Sequence, residues 1–101
     1  MNLFSLSSKA RRHLFEIRKF TLQRWGKKQS TLYVADLVKT FYLIAEMPTI
    51  GKRFEKKSAK PIYYFIYKSH IIYYTPSKNR LTILALFHQS MAPENHLSLI
   101  H

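Results

Sequence analysis

Three histidines near the end of the chain, His88, His96 and His101, are the first residues whose chemistry must be weighed. Imidazole binds transition metals and titrates near neutral pH, so grouped histidines can indicate a metal site or acid-base catalysis. Most metal sites in proteins add Cys or carboxylate ligands to histidine. The chain has no Cys, and Glu94 is the only acidic residue among its last forty. We therefore expect neither a metal nor another cofactor, with His88 closing a strand and the other two on a solvated tail.

The serines that could act as nucleophiles, Ser69, Ser77 and Ser90, lie in apparent turns or in the C-terminal tail. None of them stands in a nucleophile-elbow motif or near an acid that could orient a catalytic base. The sequence therefore gives no support to Ser-His-acid catalysis.

Metal-independent RNA cleavage is the more serious enzymatic alternative. Basic side chains can stabilise the charge of a phosphorane while Lys, Arg, His or Tyr moves protons during attack by a ribose 2′-hydroxyl. A segment expected to be a loop supplies the cluster Lys52, Arg53, Lys56, Lys57 and Lys60, which Arg80 and His88 could flank. The same segment can equally be a solvated charged loop. Both interpretations stay open.

Two amphipathic helices are predicted in the first half of the chain. Apolar residues recur at spacings of three and four over residues 8–25, and again in a longer stripe over about 28–46. Gly26 between the two stripes suits a helix end, and Pro48 disfavours further helix. So short a link places the two helices antiparallel, as a hairpin.

Three strands are predicted in the second half, over about 62–67, 70–75 and 81–88, because these segments are dense in aromatic and β-branched residues. They form an antiparallel meander, to which residues 2–6 could add an edge strand. The apolar faces of the hairpin and the sheet need each other for burial. We therefore predict an α+β fold, with the helix hairpin packed on a three- to four-stranded antiparallel β-sheet.

Five tyrosines alternate along the first two predicted strands: Tyr63, Tyr64, Tyr67, Tyr73 and Tyr74. Alternation places one subset against the helices and the other on the opposite face of the sheet. Exposed tyrosines among basic residues could stack nucleobases. Tyrosine also fits ordinary half-buried sheet surfaces, and we favour this packing interpretation.

Composition limits the class of protein and its partners. The chain has 101 residues, of which 47% are apolar, and this fits a single folded domain over residues 1–101. No apolar run approaches the roughly 18 residues of a membrane span, and the absence of Cys suits a reducing cytoplasm. The 17 Lys and Arg against five Asp and Glu give a net charge of +12. Nucleic acid, an acidic protein, or both are the expected partners.

The C-terminal passage from Leu81 to Leu97 joins a β-rich apolar run to a His-Gln-x-Met-x-Pro-x-x-His-Leu tail. This passage resembles the C-terminus of ParE-type toxins of the ParE/RelE superfamily, and further motifs upstream extend the resemblance over nearly the whole chain. Those motifs are Arg24-Trp25-Gly26, Gln29, Tyr33, Leu37 and Ile44-Ala45-Glu46-x-Pro48-x-x-Gly51.

The resemblance implies the toxin of a bacterial type II toxin-antitoxin system, which binds DNA gyrase rather than catalysing a reaction. An acidic, ParD-like antitoxin would neutralise it, and operator DNA would be contacted only through that antitoxin. Position transfers the target-binding role to Lys68, Ser69, His70, Arg80, His88, Gln89, Ser90 and Met91. An apolar patch rimmed by positive charge on the first helix suits an acidic amphipathic segment. It consists of Phe15, Arg18, Lys19 and Leu22.

The chain departs from the family pattern at three positions. ParE-like sequences commonly carry a basic residue where this chain has Ala85, and an Arg and an Asp where it has Ser90 and Ala92. Two alternatives therefore stay open beside gyrase inhibition. One is a RelE-like, metal-independent mRNA endonuclease, and the other is an attenuated toxin that still binds its antitoxin.

Overall fold

Two helices packed on one face of a five-stranded sheet form the fold in a computed structural model, which describes residues 3–55, 60–78 and 80–90. In chain order the elements are β1 (Leu3–Leu6), α1 (Ser8–Trp25), α2 (Lys27–Glu46), a 3-10 turn (Pro48–Ile50), β2 (Lys52–Glu55), β3 (Ile62–Tyr67), β4 (His70–Ser77) and β5 (Arg80–His88). The predicted α+β fold with a helix hairpin is confirmed. Within the described residues, no helix is both long and apolar enough to cross a membrane.

The helix hairpin forms where the sequence places its caps. The Ser7 hydroxyl accepts a hydrogen bond from the Ala10 N–H at 3.0 Å and so caps the start of α1. Gly26 separates the helices with a φ of 91°, a conformation that costs glycine little. Beyond this corner the buried hydroxyls of Thr21 and Ser30 lie 2.7 Å apart. This pair joins the two helices just below their connection.

The sheet has the strand order β1-β5-β4-β3-β2 and is mixed, not purely antiparallel. The predicted meander forms β3, β4 and β5, and the proposed N-terminal edge strand exists as β1. However, β1 pairs with β5 in parallel, an arrangement that is possible because the two strands are joined through the rest of the fold and not by a hairpin. The predicted all-antiparallel pairing was therefore wrong at this edge.

The fifth strand, β2, occupies a segment that we expected to be a loop. It pairs antiparallel with β3, and Lys52 lies opposite Tyr64. Phe54 makes edge contacts with the rings of Tyr64 and Tyr73, at centroid distances of 6.2 and 4.8 Å. This aromatic packing, which depends on residues distant in sequence, holds the charged segment in the sheet.

The strand β4 also runs further than predicted, through Pro76 to Ser77. Its pairing with β3 ends at Tyr74, so the missing N–H of Pro76 leaves no ladder bond unmade on that side.

Both faces of the sheet carry packed apolar residues. The helix-side core includes Leu37, Phe41, Ile72 and Ile83, each 0% exposed. A second cluster joins Ile62, Tyr73, Ala85 and Phe87. The five tyrosines divide as expected: Tyr63, Tyr67 and Tyr74 pack with the helix-side core, and Tyr64 and Tyr73 pack with the second cluster. None of the five is in the exposed class, as the packing interpretation requires.

A buried tyrosine secures the 3-10 turn to the far end of the sheet. The Tyr74 hydroxyl accepts from the Gly51 N–H at 3.0 Å and donates to the Pro48 carbonyl at 2.7 Å. A Cβ at Gly51 would lie 2.6 Å from the Tyr64 carbonyl oxygen. Only glycine fits this close approach without a shift of the backbone.

Candidate functional site

Six of the predicted target-binding residues lie together at one corner of the sheet, which we call the β-corner: Lys68, Ser69, His70, His88, Gln89 and Ser90. His70 and His88 are direct partners in the β4–β5 ladder, with ring centroids 5.5 Å apart. The Gln89 N–H donates to the Ser69 carbonyl at 2.8 Å, and the Gln89 side-chain amide donates to the Lys68 carbonyl. Gln89 therefore clamps the β3–β4 turn to the end of β5.

The turn itself is held in an uncommon backbone conformation. Lys68 has a φ of 50°, and it is the one non-glycine residue with positive φ in the described part of the chain. Its ammonium group lies 5.5 Å from the centroid of the Tyr67 ring. The Lys68 side chain is exposed, so the corner presents a positive charge on a fixed turn.

The structure does not place Arg80 at the β-corner. Arg80 begins β5, eight residues before His88, which corresponds to about 26 Å along an extended strand. Lys52 and Arg53 lie on β2, three strands away from β5, or about 14 Å across the sheet. Among the described residues, Arg80 and His88 therefore lie at opposite ends of β5, and neither adjoins Lys52 or Arg53 in the sheet. Met91, Ala92, Lys56, Lys57, His96 and His101 lie outside the described residues.

A tyrosine from α2 supports the corner from below. The Tyr33 hydroxyl lies 2.6 Å from His70 Nδ1, and the two rings meet edge to face. Burial, and secondarily the charge of His88, lowers the pKa of His70 from 6.5 to about 4. Burial also raises the pKa of Tyr33. At neutral pH the pair is therefore uncharged, and the Tyr33 hydroxyl can donate to His70.

A cavity of about 440 Å³ lies between α1 and the ends of β4 and β5. This histidine cavity is lined by His13, Glu16, Ile17, Phe20, His70, Leu86, His88 and Ser90. His13 Nδ1 accepts from the Leu86 N–H at 3.1 Å, and His88 Nδ1 accepts from the Ser90 N–H at 3.1 Å. With His70 bonded to Tyr33, each Nδ1 is engaged, and within the described residues each Nε2 can still take another partner.

The side chains of the histidine cavity are suited to hydrogen bonding. Among the described residues, no three His, Cys, Asp or Glu side chains are grouped so that they could hold a metal ion. Burial, then the charges of Arg12 and Lys9, lowers the pKa of His13. A neutral His13 that accepts at Nδ1 carries its proton on Nε2. His13, Glu16 and Phe20 were not predicted as site residues, although their spacing of three and four places them on one face of α1.

A second cavity, of about 450 Å³, opens at the tip of the helix hairpin. This hairpin-tip cavity is lined by Trp25, Gln29, Tyr33, Lys68 and Ser69. The hydrogen bond between Tyr33 and His70 connects a residue of this cavity to a residue of the histidine cavity. Gln29 and Tyr33 were predicted only as marks of family resemblance, whereas Trp25 also ends the apolar stripe of residues 8–25 and is 48% exposed.

The predicted antitoxin-binding residues lie on the outer face of α1. Phe15 is 63% exposed and Leu22 is 46% exposed. Arg18 lies between them at helical spacing, and Lys19 is on the adjacent stripe; both are exposed. The buried face of the helix is formed instead by Ala10, Ile17 and Thr21. The structure therefore brings the four predicted residues together as an apolar and basic surface.

Two of the positions that depart from the family pattern have structural roles here. Ala85 is 0% exposed and packs with Tyr73 and Phe87. A longer basic side chain would have no room there unless these rings moved. Ser90 Oγ lies 2.8 Å from His88 Nδ1, so this serine orients a histidine of the β-corner.

Comparisons with known proteins agree with one another. A family model described as "ParE toxin of type II toxin-antitoxin system, parDE" matches residues 4–93. The chain is similar to Toxin ParE1 of Caulobacter vibrioides, at 32% identity over 102 residues that cover 96% of this chain and 99% of the relative. It also shares its fold with a chain of the chromosomal ParDE TA system from P. aeruginosa. That match has a TM-score of 0.71 and 14% identity, and it covers 87% of this chain and 95% of the other.

Proposed function

Because this chain belongs to the ParE toxin family of type II toxin-antitoxin systems, we propose that it arrests growth by binding DNA gyrase. A ParD-like antitoxin neutralises it by covering its surface. Inhibition proceeds through binding, with gyrase trapped on cleaved DNA, and the toxin itself catalyses no reaction.

The Gln89 clamp is the observation that carries this proposal. It joins two chain segments, the β3–β4 turn and the end of β5, into one polar surface. Lys68, Ser69, Gln89 and Ser90 are all exposed there. A pre-organised, exposed surface of this kind suits recognition of a macromolecule, since little side-chain freedom is lost on binding.

The distribution of basic residues supports binding over RNA cleavage. Lys52 and Arg53 are three strands from His88, and Arg80 is at the opposite end of β5. A general acid or base must come within hydrogen-bond reach of the same phosphodiester that the cations stabilise. Among the described residues, these side chains start from backbone positions that do not converge on one phosphate.

The antitoxin surface is supported by charge and exposure. Phe15 and Leu22 are exposed large apolar residues beside Arg18 and Lys19. An acidic amphipathic segment can bury the two apolar side chains and place its carboxylates next to the cations. The net charge of +12 accelerates the encounter with such a partner.

Gyrase inhibition is tested with the purified chain, gyrase and supercoiled plasmid. We expect linear DNA, from trapped cleavage complexes, to accumulate with wild-type protein. Gln89→Ala unclamps the corner and Lys68→Gln removes its charge, so both variants should need more protein for the same effect. Lys39→Gln removes an exposed charge on α2, away from the corner, and serves as the matched control. Equal loss in Lys39→Gln and Lys68→Gln would assign the effect to net charge alone.

Expression in a bacterium distinguishes the remaining alternatives. Growth, DNA-damage response and messenger RNA integrity are scored in the same cultures, with and without an acidic antitoxin. Gyrase inhibition predicts arrest with DNA damage and intact RNA, relieved by the antitoxin. Arrest with cleaved RNA and intact DNA would identify an endonuclease instead. Absence of arrest, with antitoxin binding retained, would identify an attenuated toxin.

The antitoxin surface is tested separately by calorimetric titration with the antitoxin. The double variant Phe15→Ala and Leu22→Ala removes the apolar part of the surface and should weaken binding. The double variant Leu32→Ala and Leu43→Ala removes two similarly exposed residues from α2 and is the control. Unchanged affinity in the first variant, or equal loss in both, would place the antitoxin elsewhere.

A further inference from the structure

The hairpin-tip cavity combines an exposed aromatic ring with several exposed polar side chains. Trp25 is 48% exposed although it lines a cavity and contacts a second aromatic ring. Its contact with Tyr33 is of the edge type, with a centroid distance of 5.9 Å and an interplanar angle of 60°. The Tyr33 ring therefore fixes the position of the indole without stacking on it. The indole offers a planar surface for another flat group.

The polar groups around this ring are open to a ligand. Gln29, Lys68 and Ser69 line this cavity and are exposed, and the Lys68 ammonium group lies 5.5 Å from the centroid of the Tyr67 ring. The Gln29 amide can both donate and accept, as the edge of a nucleobase requires, and Lys68 supplies a cation for a phosphate. The Lys68 backbone is fixed by Gln89 at a positive φ, so this cation is attached to a rigid turn.

The charge around the cavity favours an anion. Residues 17–35, which include the whole hairpin tip, contain five Lys or Arg and no Asp or Glu. Three of these basic residues, Arg24, Lys27 and Lys28, are within three positions of Trp25. An aromatic platform surrounded by cations is the combination by which proteins bind single-stranded nucleic acid.

We propose that the hairpin-tip cavity binds one unpaired nucleotide of single-stranded nucleic acid. The base stacks on Trp25, its hydrogen-bonding edge meets Gln29, and a neighbouring phosphate meets Lys68. This role goes beyond the proposed inhibition of gyrase by protein contact, and it is tested without gyrase. The two proposals can therefore fail independently.

Trp25 provides a direct signal because it is the only tryptophan in the chain. The full-length protein is titrated with a short oligothymidylate while tryptophan fluorescence is recorded. An abasic oligomer with the same number of phosphates is titrated in parallel. We expect the oligothymidylate to quench the fluorescence through stacking, and we expect the abasic oligomer to bind more weakly with little quenching.

Variants measured by anisotropy of a labelled oligothymidylate separate stacking from charge. Trp25→Leu should weaken binding by at least about fivefold, since base stacking on an aromatic side chain is lost. Gln29→Ala and Lys68→Gln should also weaken it. The matched controls Gln23→Ala and Lys39→Gln remove an exposed amide and an exposed charge elsewhere on the helices. Thermal unfolding of each variant checks that the fold is retained.

Two results would overturn the proposal. The first is equal affinity for the oligothymidylate and its abasic counterpart, which would reduce binding to general attraction by the charge of +12. The second is equal loss in the cavity variants and their controls. If no oligomer quenches Trp25 but an antitoxin peptide does, the cavity is a protein-binding site and the proposal is wrong.

Discussion

The two ends of β4 show how this fold separates a scaffold from a site. Near the far end, the Tyr74 hydroxyl is buried and bonded to two backbone groups, the Gly51 N–H and the Pro48 carbonyl. At the β-corner, the Tyr33 hydroxyl is only half-buried and fixes the side chain of His70, with a cavity on either side. The hydroxyl of Tyr74 makes its hydrogen bonds to backbone groups and so stabilises the fold. The hydroxyl of Tyr33 orients His70, a side chain that lines a cavity and can contact a partner.

The far end should be the more sensitive of the two to added volume. Gly51→Ala places a Cβ against the Tyr64 carbonyl oxygen and the Tyr74 hydroxyl. Because one of these atoms belongs to the backbone, we expect the free energy of unfolding to fall by about 3 kcal/mol, at the upper end for overpacking. Denaturant unfolding measures this change. Thr49→Ala, at an exposed neighbour, should cost less than about 0.5 kcal/mol. Equal losses in Gly51→Ala and Thr49→Ala would show that the backbone of the turn shifts to make room for the added Cβ.

The β-corner should be the more sensitive of the two to acid. His70 has a pKa of about 4 when folded and about 6.5 when unfolded. Between these values the unfolded chain binds more protons, so stability that is complete above pH 6.5 is lost as the pH falls towards 4. From pH 7 to pH 5 we expect a loss of at most about 2 kcal/mol from this residue.

The variant His70→Gln isolates that contribution, because glutamine does not titrate and can still accept the Tyr33 hydrogen bond. The free energies of unfolding of wild type and His70→Gln are measured at pH 7 and pH 5, and they show how much of the pH dependence of stability comes from His70. His88→Gln, at the exposed ring of the same pair, should retain most of the wild-type slope. An identical pH dependence in wild type and His70→Gln would contradict the buried, neutral state of His70.

The fold could be predicted where local pattern decides the structure. The apolar spacing of residues 8–25 and the glycine that follows specify the first helix and its end, and the three aromatic strands specify the meander. The strand β2 could not be predicted, because Phe54 is its only apolar residue and packs on Tyr64 and Tyr73. The parallel direction of β1 depends on β5, more than 70 residues later. Non-local pairing of this kind has no local signal.

The site residues on the strands could be predicted from the sequence, but those that the helices contribute could not. The register of the meander brings Lys68, Ser69 and His70 to the end of β5, where position had placed His88 and Gln89. The contributions from the helices, such as His13, Trp25 and Gln29, depend on how the hairpin is rotated on the sheet. That rotation is set by packing among many side chains, and no single spacing in the sequence reports it.

The two tyrosine hydroxyls provide a matched pair of substitutions. Tyr74→Phe leaves the Gly51 N–H and the Pro48 carbonyl without their partner, so we expect a loss of about 1–2 kcal/mol in unfolding free energy. Tyr33→Phe leaves His70 Nδ1 and the Ser69 N–H without their partner, beside a cavity that admits water, and should cost about 0.5–1 kcal/mol. Denaturant titrations measure both changes.

In the assay for gyrase inhibition, Tyr33→Phe should have the larger effect and Tyr74→Phe the smaller one. The reason is that Tyr33 supports the β-corner and Tyr74 does not contact it. Tyr33→Phe should reduce inhibition while the protein remains folded, and Tyr74→Phe should leave it unchanged under conditions where the variant is folded. If Tyr74→Phe reduces inhibition more than Tyr33→Phe does, the division between scaffold and site is wrong.

The smallest effect on stability is expected from Arg80, a basic residue of β5 that lies far from the β-corner. Arg80 is exposed at the start of β5, so Arg80→Gln should change the free energy of unfolding by less than about 0.5 kcal/mol.

Arg80→Gln removes the same unit of charge as Lys68→Gln. If general attraction to a polyanion drove inhibition, inhibition would fall equally in the two variants. A surface that acts through local contacts predicts instead that inhibition of gyrase is reduced by Lys68→Gln and retained by Arg80→Gln. Titration of inhibitory strength for the two variants, at two salt concentrations, measures this difference. Equal reduction in both would assign the effect to net charge, because a local β-corner cannot account for an effect at a residue about 26 Å away.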